Sequence, residues 1–362
     1  MPWYNDQISI RQLSVLLIIN IFGTGVVILP RTVTALAGTD GWLAVLVATL
    51  LAVGCCYLIT SLTKLYPKKS FYEYVSIITV KPIGLLLTGG LVIRLLLHMG
   101  LMLRASLEII KATMLPTTPI WLLSVVLILL SGYGASKGYE TRARLAEILV
   151  VIILLPIIFV FATAAFNVDY TNLLPTLTVP PSQLLKGGLI SLSSFVGIEL
   201  LLLVTPYVNQ PQAITKAGTK VVVFLGIAMT GIVVVTTARF GVFHLSFLAW
   251  PVIQMMDSTA LPGSFVERQG VFIMSFFILS VFAITNACLF FSSLLCRSVT
   301  KRGHHSFYIW ICMMAAFFIS LAPENMKGVH RYLDMTYMTF GLGYMFFVPA
   351  VLLVMSKLKQ KF

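Results

Sequence analysis

The chain has 362 residues, of which 59% are apolar and only 10% charged, with a formal net charge of +13 and a mean hydropathy of +0.98. A soluble domain is about 45–50% apolar and about 25% charged, so this composition excludes one and indicates a polytopic membrane protein. The five cysteines include no CxxC pair, which leaves no zinc or disulfide framework.

Ten apolar runs approach or exceed the roughly 20 residues of a membrane crossing, at 9–37, 41–63, 83–114, 119–136, 145–167, 184–207, 221–244, 269–296, 306–322 and 333–355. They fill the chain, so 1–362 reads as a single all-α membrane domain with ten transmembrane helices. Run 1 begins with Arg11 and Gln12 and ends without a small-residue cleavage site, the pattern of a retained helix rather than a signal peptide. Its centre, NIFGTGVVILPR at 20–31, holds Gly23, Gly25 and Pro30. Glycine costs a helix interior roughly 1 kcal/mol and proline about 3 kcal/mol relative to alanine, so the helix is expected to break there. Unwound backbone survives in hydrocarbon only where protein or a water-filled cavity surrounds it. Amides freed at Gly25 and Val26 suit a carboxylate, and freed carbonyls an ammonium or metal cation. Gly23, Thr24 and Gly25 would equally serve close packing of a neighbouring helix.

Run 3 carries the charges. Arg94, His98 and Glu108 fall within about 40° of one line at about 100° per residue, with Arg104 and Lys111 beside Glu108. Arg104 and Glu108 are an i,i+4 pair, and the trio Arg104, Glu108 and Lys111 reads either as a structural ion-pair cluster or as part of an ion path. Arg94 and His98 lie near mid-membrane. A cation and a titratable ring at that level favour an acidic or otherwise distinct ligand; His98 alternatively serves packing.

Run 6 answers run 1. SLSSFVGIELLLLVTP at 191–206 places Phe195, Val196 and Gly197 at its centre, with Pro206 nine residues after Gly197. Five helices separate the two breaks, so they cross in opposite directions, as inverted five-helix repeats require; the expected repeats are 9–168 and 182–356. Pro156 and Pro349 occupy roughly matched interior positions in runs 5 and 10. Glu199, the acid inside run 6, has two readings: a structural group that caps freed amides or pairs with Arg94 or Arg104, or a contact for a ligand ammonium or passing cation. In run 8, Ile284, Cys288 and Ser292 recur every four residues, as pocket or plain core.

Charge sets the orientation. Sixteen of the 25 Lys and Arg residues, from Arg11 and Lys64 to Lys359 and Lys361, fall on the side of both termini, against Arg268, Lys327 and Arg331 opposite. That asymmetry puts both termini in the cytoplasm and assigns the basic loops to membrane lipids, with no nucleic-acid site. No paired carboxylates, HExxH or GxSxG motif appears, and Ser191, Ser193 and Ser194 have no recognisable base, so neither an enzyme nor a cofactor is expected.

GTGVVILPR in run 1, TDGW at 39–42, RASLEIIK at 104–111, SFVGIE at 194–199 and VER at 266–268 together resemble the spore-germination receptor B subunit family, an endospore germination permease group of the amino acid-polyamine-organocation superfamily. The resemblance spans nearly the whole chain. It implies the leucine-transporter fold, with a ligand pocket between the broken helices 1 and 6 and helices 3 and 8, where Ile284 and Cys288 would lie. It also implies a place in the inner membrane of the spore and assembly with an A subunit and a lipoprotein C subunit. The expected function is that of a nutrient-germinant receptor subunit that binds an amino acid or similar small nutrient, with ion gating as one route of signalling. The alternative is a secondary amino-acid transporter, coupled to protons or sodium. Run 5 has no lysine of the kind some proton-coupled relatives use, and Ser292 and Ser293 are too common a pattern to assign sodium.

Overall fold

The computed structural model describes residues 7–22, 25–258, 269–301 and 303–359. All ten apolar runs are helical. Run 1 forms α1 (Ile10–Ile21) and α2 (Gly25–Ala37), run 2 forms α3 (Gly41–Thr63), and a short amphipathic α4 (Phe71–Ile78) precedes run 3 as α5 (Lys81–Thr113). Runs 4 and 5 are α6 (Ile120–Ser136) and α7 (Tyr139–Ala165), and run 6 begins with α8 (Pro181–Ser191) and resumes in the single turn α9 (Leu201–Val204). Run 7 is α10 (Ile214–Leu245), followed by α11 (Pro251–Ser258), run 8 as α12 (Gln269–Thr300) and run 9 as α13 (His305–Leu321). Run 10 passes through α14 (Met326–Thr336), two π-helical turns (Tyr337–Gly341 and Gly343–Phe347) and α15 (Val348–Lys359). The one β feature among the described residues is an isolated parallel bridge between Ile8 and Val208.

Among the described residues, six helical stretches are long and apolar enough to cross a membrane: Gly25–Thr63, Lys81–Thr113, Tyr139–Ala165, Pro211–Leu245, Phe277–Thr300 and Met326–Lys359. The bent pair Pro181–Phe195 and Ile198–Tyr207, at 53°, makes a seventh if counted as one span. The difference from ten runs has a geometric cause. The 3-10 turn Gly38–Asp40 joins α2 directly to α3, and α1 is cut to 12 residues by the break. The helices of runs 4 and 9 are 17 residues each, about 25 Å long at 1.5 Å per residue, a little short of a hydrocarbon core of about 30 Å.

The interior is a main apolar cluster to which every run contributes, with a small second cluster of Val27, Ile109 and Ile253. Its outward face is also apolar, with Leu50, Leu86, Ile227 and Phe318 exposed, as expected where lipid rather than water is the solvent. α3 packs on α10 and α8, and α5 on α12 and α13. Close approach of α3 and α10 depends on Gly226, where an added Cβ would collide with Thr49, the small-residue device of membrane helix packing. The TDGW segment has a structural task. Asp40 is fully buried and accepts from the amides of Leu177, Thr178 and Val179 at 2.6, 2.8 and 3.1 Å, while Thr39 Oγ1 donates to the Pro175 carbonyl at 2.6 Å. The loop between runs 5 and 6 is thereby fastened to the end of run 1.

Candidate functional site

Both expected breaks are present. α1 stops at Ile21, and Phe22 leaves helical geometry with φ −79° and ψ 62°. Gly23 and Thr24 lie outside the described residues, and α2 starts at Gly25. Gly25 and Val26 therefore occupy a first turn whose amides have no acceptor inside the helix. In run 6 the α-helix gives way after Ser191 to a 3-10 turn, Leu192–Phe195, then to extended Val196 (ψ 133°) and to Gly197 at φ +115°. A second 3-10 turn, Ile198–Leu200, restarts the helix. Glycine is required at 197 on two grounds: L-residues avoid that φ, and a Cβ would sit 3.2 Å from the Asn20 carbonyl oxygen. The two breaks therefore touch, with the end of α1 against the kink of run 6.

Glu199 makes both of the structural contacts expected of it. Its Oε1 accepts from Arg94 Nη2 at 3.0 Å, both side chains being 2% exposed, and its Oε2 accepts from the Gly197 amide at 2.7 Å. One carboxylate thus caps the kink and pairs the mid-membrane cation of α5. The Nε of Arg94 is buried without a partner among the described residues.

Beside this pair lies a cavity of about 100 Å³. Gly25, Ile28, Leu29 and Thr32 of α2 line it, with Arg94, His98 and Met102 of α5 and Ser191, Ser193, Ser194 and Val196 of run 6. The remaining wall is run 10: His330, Leu333, Asp334, Thr336 and Tyr337. Tyr337 also donates to the Leu189 carbonyl at 3.0 Å, and Tyr344 to the Leu87 carbonyl at 2.6 Å, which binds run 10 to runs 6 and 3.

Of the residues expected at a pocket, the structure brings Gly25, His98, Val196 and Arg94 to the cavity. Val26, Phe195, Gly197 and Glu199 are buried and do not line it. Ile284 and Cys288 are buried on α12 and do not line it, so the fourth wall is run 10 where the resemblance implied run 8. The α12 face bearing Ile284 and Cys288 belongs to the apolar core, while α14 supplies His330, Leu333, Asp334 and Thr336 to the lining. The acidic-ligand expectation drawn from Arg94 and His98 also changes, because Glu199 already neutralises Arg94.

The second charged cluster does not line the cavity. Arg104 pairs with Glu108 at 3.0 Å and donates to the carbonyls of Ser320 at 3.2 Å and Glu324 at 3.5 Å, capping the end of α13 as basic groups do at helix C-termini. Lys111 is half-buried at the end of α5 and does not line the cavity. Sequence reasoning missed Asp334, although it is the one acid inside run 333–355, a signal that intramembrane charge supplies by itself. It also missed Arg142, counted as a loop charge. Arg142 is 6% exposed and lies over the rings of Tyr139 and Phe291 at 5.6 and 5.5 Å.

Among the described residues, no group of His, Cys, Asp and Glu could hold a metal ion. The family profile described as "Spore germination protein" matches residues 7–329. The chain belongs to that spore germination protein family. Relatives of this germination protein include YndE of Bacillus subtilis, 26% identical over 98% of both chains. Others are GerLB of Bacillus cereus, 24% identical over 99% of this chain and 96% of its own, and KB of Bacillus subtilis, 23% identical over 98% and 96%. The fold is that of a transporter. A Na+-coupled sialic acid symporter, solved in a substrate-bound outward-open state, superposes with a TM-score of 0.65 at 11% identity, covering 94% of this germination protein and 78% of the symporter. The VER segment of the family motifs, at 266–268, lies outside the described residues.

Proposed function

We propose that this protein is the membrane-embedded subunit of a spore nutrient-germinant receptor and that a small nutrient binds in the cavity between runs 1, 3, 6 and 10. The observation that carries this reading is the placement of an approximately 100 Å³ cavity at the junction of two broken helices. There the open first turn of α2 and the serines of run 6 offer polar contacts that continuous apolar helices lack. Ligand contact falls to Gly25, His98, Val196 and the adjoining serines, with Gly23 and Thr24 of the same break. Glu199 and Arg94 hold the geometry beneath them. Ten crossings in two inverted repeats, 9–168 and 182–356, with both termini cytoplasmic, place the cavity mouth on the outer side of the spore inner membrane. The binding event then biases a complex with an A subunit and a lipoprotein C subunit, with gated ion flow as one output.

A transporter-like fold supports a second reading, a working secondary amino-acid transporter. One experiment separates the two: a strain lacking this gene is tested for germination against a nutrient panel, alongside uptake of each active compound by vesicles containing the protein. Loss of response to one nutrient with no uptake of it is the result expected for a receptor. Uptake without any germination defect would replace the receptor with the transporter.

A further inference from the structure

Runs 8 and 9 form a helical hairpin, α12 into α13, whose turn falls on the side that the positive-inside rule assigns to the cytoplasm. Two side-chain hydrogen bonds draw its arms together: the Thr300 hydroxyl with the Tyr308 hydroxyl, and Ser293 Oγ with the His305 ring at 2.9 Å. In antiparallel helices a contact between 300 and 308 brings the residues one turn deeper on each arm, 296 and 312, toward one another. Both are cysteines. Their thiols are hydrogen-bonded to each other, and Ser292, one turn earlier on α12, is a hydrogen-bond neighbour of the Cys312 thiol. Cys296 is half-buried, whereas Cys312 is 1% exposed. One sulfur can therefore be reached from outside the interface and the other lies within it. The remaining three cysteines differ: Cys55, Cys56 and Cys288 are buried, and Cys55 and Cys56, adjacent in α3, point about 100° apart.

We propose that Cys296 and Cys312 are a reversible oxidation site, at which a small peroxide converts the thiol pair into a disulfide that clamps run 8 to run 9. Cys296 reacts first because it is the accessible member, and reactivity toward oxidants follows exposure as well as thiolate character. Its sulfur attacks a peroxide oxygen, an S–O bond forms as the O–O bond breaks, and the departing oxygen takes the thiol proton to leave as water. Cys296 is then a sulfenic acid. The Cys312 sulfur attacks the Cys296 sulfur, an S–S bond forms as the S–O bond breaks, and the hydroxyl leaves with the Cys312 proton as a second water. Two thiols are thereby oxidised to one disulfide, and one hydrogen peroxide is reduced to two waters. Hydrogen-bonded thiols already lie within the shared interface, so reaching the about 2.05 Å of a disulfide requires the sulfurs to approach without either side chain leaving it. Cytoplasmic thiol pools hold such a pair reduced until an oxidant exceeds them. α5, which carries Arg94 and His98, packs on both α12 and α13, so the bond would fix two of the helices that stand behind the cavity wall.

The test uses the full-length protein in detergent, treated with graded hydrogen peroxide and then denatured. Free thiols are counted with a maleimide mass tag, and cross-linked peptides are identified by mass spectrometry. In wild type the five thiols are expected to fall to three, with a Cys296–Cys312 peptide and no dimer on a non-reducing gel. Dithiothreitol is expected to restore all five. Cys312→Ser should stop at the first step, leaving a Cys296 sulfenic acid that dimedone traps, whereas Cys296→Ser should keep its four thiols through the same treatment. Lys68→Cys, an exposed position, shows in parallel that the peroxide dose is sufficient. Five thiols left in wild type at a dose that oxidises position 68 would overturn the proposal, as would a cross-link joining either residue to Cys55, Cys56 or Cys288, or one joining two molecules. The wild-type result stands even if a serine variant folds poorly.

Discussion

Glu199 illustrates how one side chain can hold a break together. Removing one partner of a buried ion pair strands the other charge, at a cost of about 3–5 kcal/mol, whereas replacing both removes the problem. Glu199→Gln keeps the size and an oxygen for the Gly197 amide but leaves Arg94 uncompensated. It is expected to lower the unfolding midpoint in detergent and the amount of protein in the membrane. Arg94→Met combined with Glu199→Gln should recover part of both, and equal midpoints for Glu199→Gln and wild type would refute the pairing. Gly25 offers the contrasting case. A Cβ there would meet Ser194 at 3.5–3.9 Å, ordinary contact, so Gly25→Ala is expected to fold and respond. Gly25→Leu would extend further atoms toward the cavity and is expected to abolish nutrient response with normal membrane insertion, checked by germination assay and immunoblot of spore membranes.

Between elements, the attachments are made by side chains that reach backbone. Asp40 gathers three amides of the loop between runs 5 and 6, and Arg104 gathers two carbonyls at the end of run 9. Both hold a loop or helix end that the apolar core does not reach. Asp40→Ala leaves those amides without their acceptor, at about 1–3 kcal/mol, and is expected to open residues 170–180 to limited proteolysis before any other segment. Protection equal to wild type would show that the loop is held otherwise. The pairing of Ile8 with Tyr207 and Asn209, at 2.7 and 3.1 Å, joins the segment before α1 to the segment after run 6. The two broken runs are thus tied at their ends as well as at the Asn20–Gly197 contact.

For the whole molecule, orientation is the property that charge decides. In the proposed topology of ten crossings the basic segment at 64–69 and its counterparts at 297–302 and 357–361 share one side, and the positive-inside rule assigns that side to the cytoplasm. Single cysteines introduced at Lys68 and at Lys327, in a background without the five native cysteines, are expected to react oppositely with an impermeant thiol reagent applied outside: Lys327→Cys labelled, Lys68→Cys protected. Labelling of position 68 would invert the topology, and labelling of both would break the count of crossings between them.

The sequence by itself determined the properties that depend on local composition. Apolar length gave ten helical runs, Gly and Pro inside runs 1 and 6 gave the breaks, and the i,i+4 spacing gave the Arg104–Glu108 pair. Each is a preference of a short stretch of chain and needs no partner to be read. Tertiary structure alone decided what faces what. Arg94 and Glu199 are 105 residues apart; sequence offers Arg94 and Arg104 alike as partners for Glu199, and only the packing of run 6 beside α5 selects Arg94. The place of run 10 in the cavity wall likewise goes with contacts between distant segments, such as the bond from Tyr337 to the Leu189 carbonyl across 148 residues. Such contacts follow from how the helices share one interior volume, a packing problem that pattern along the chain does not encode.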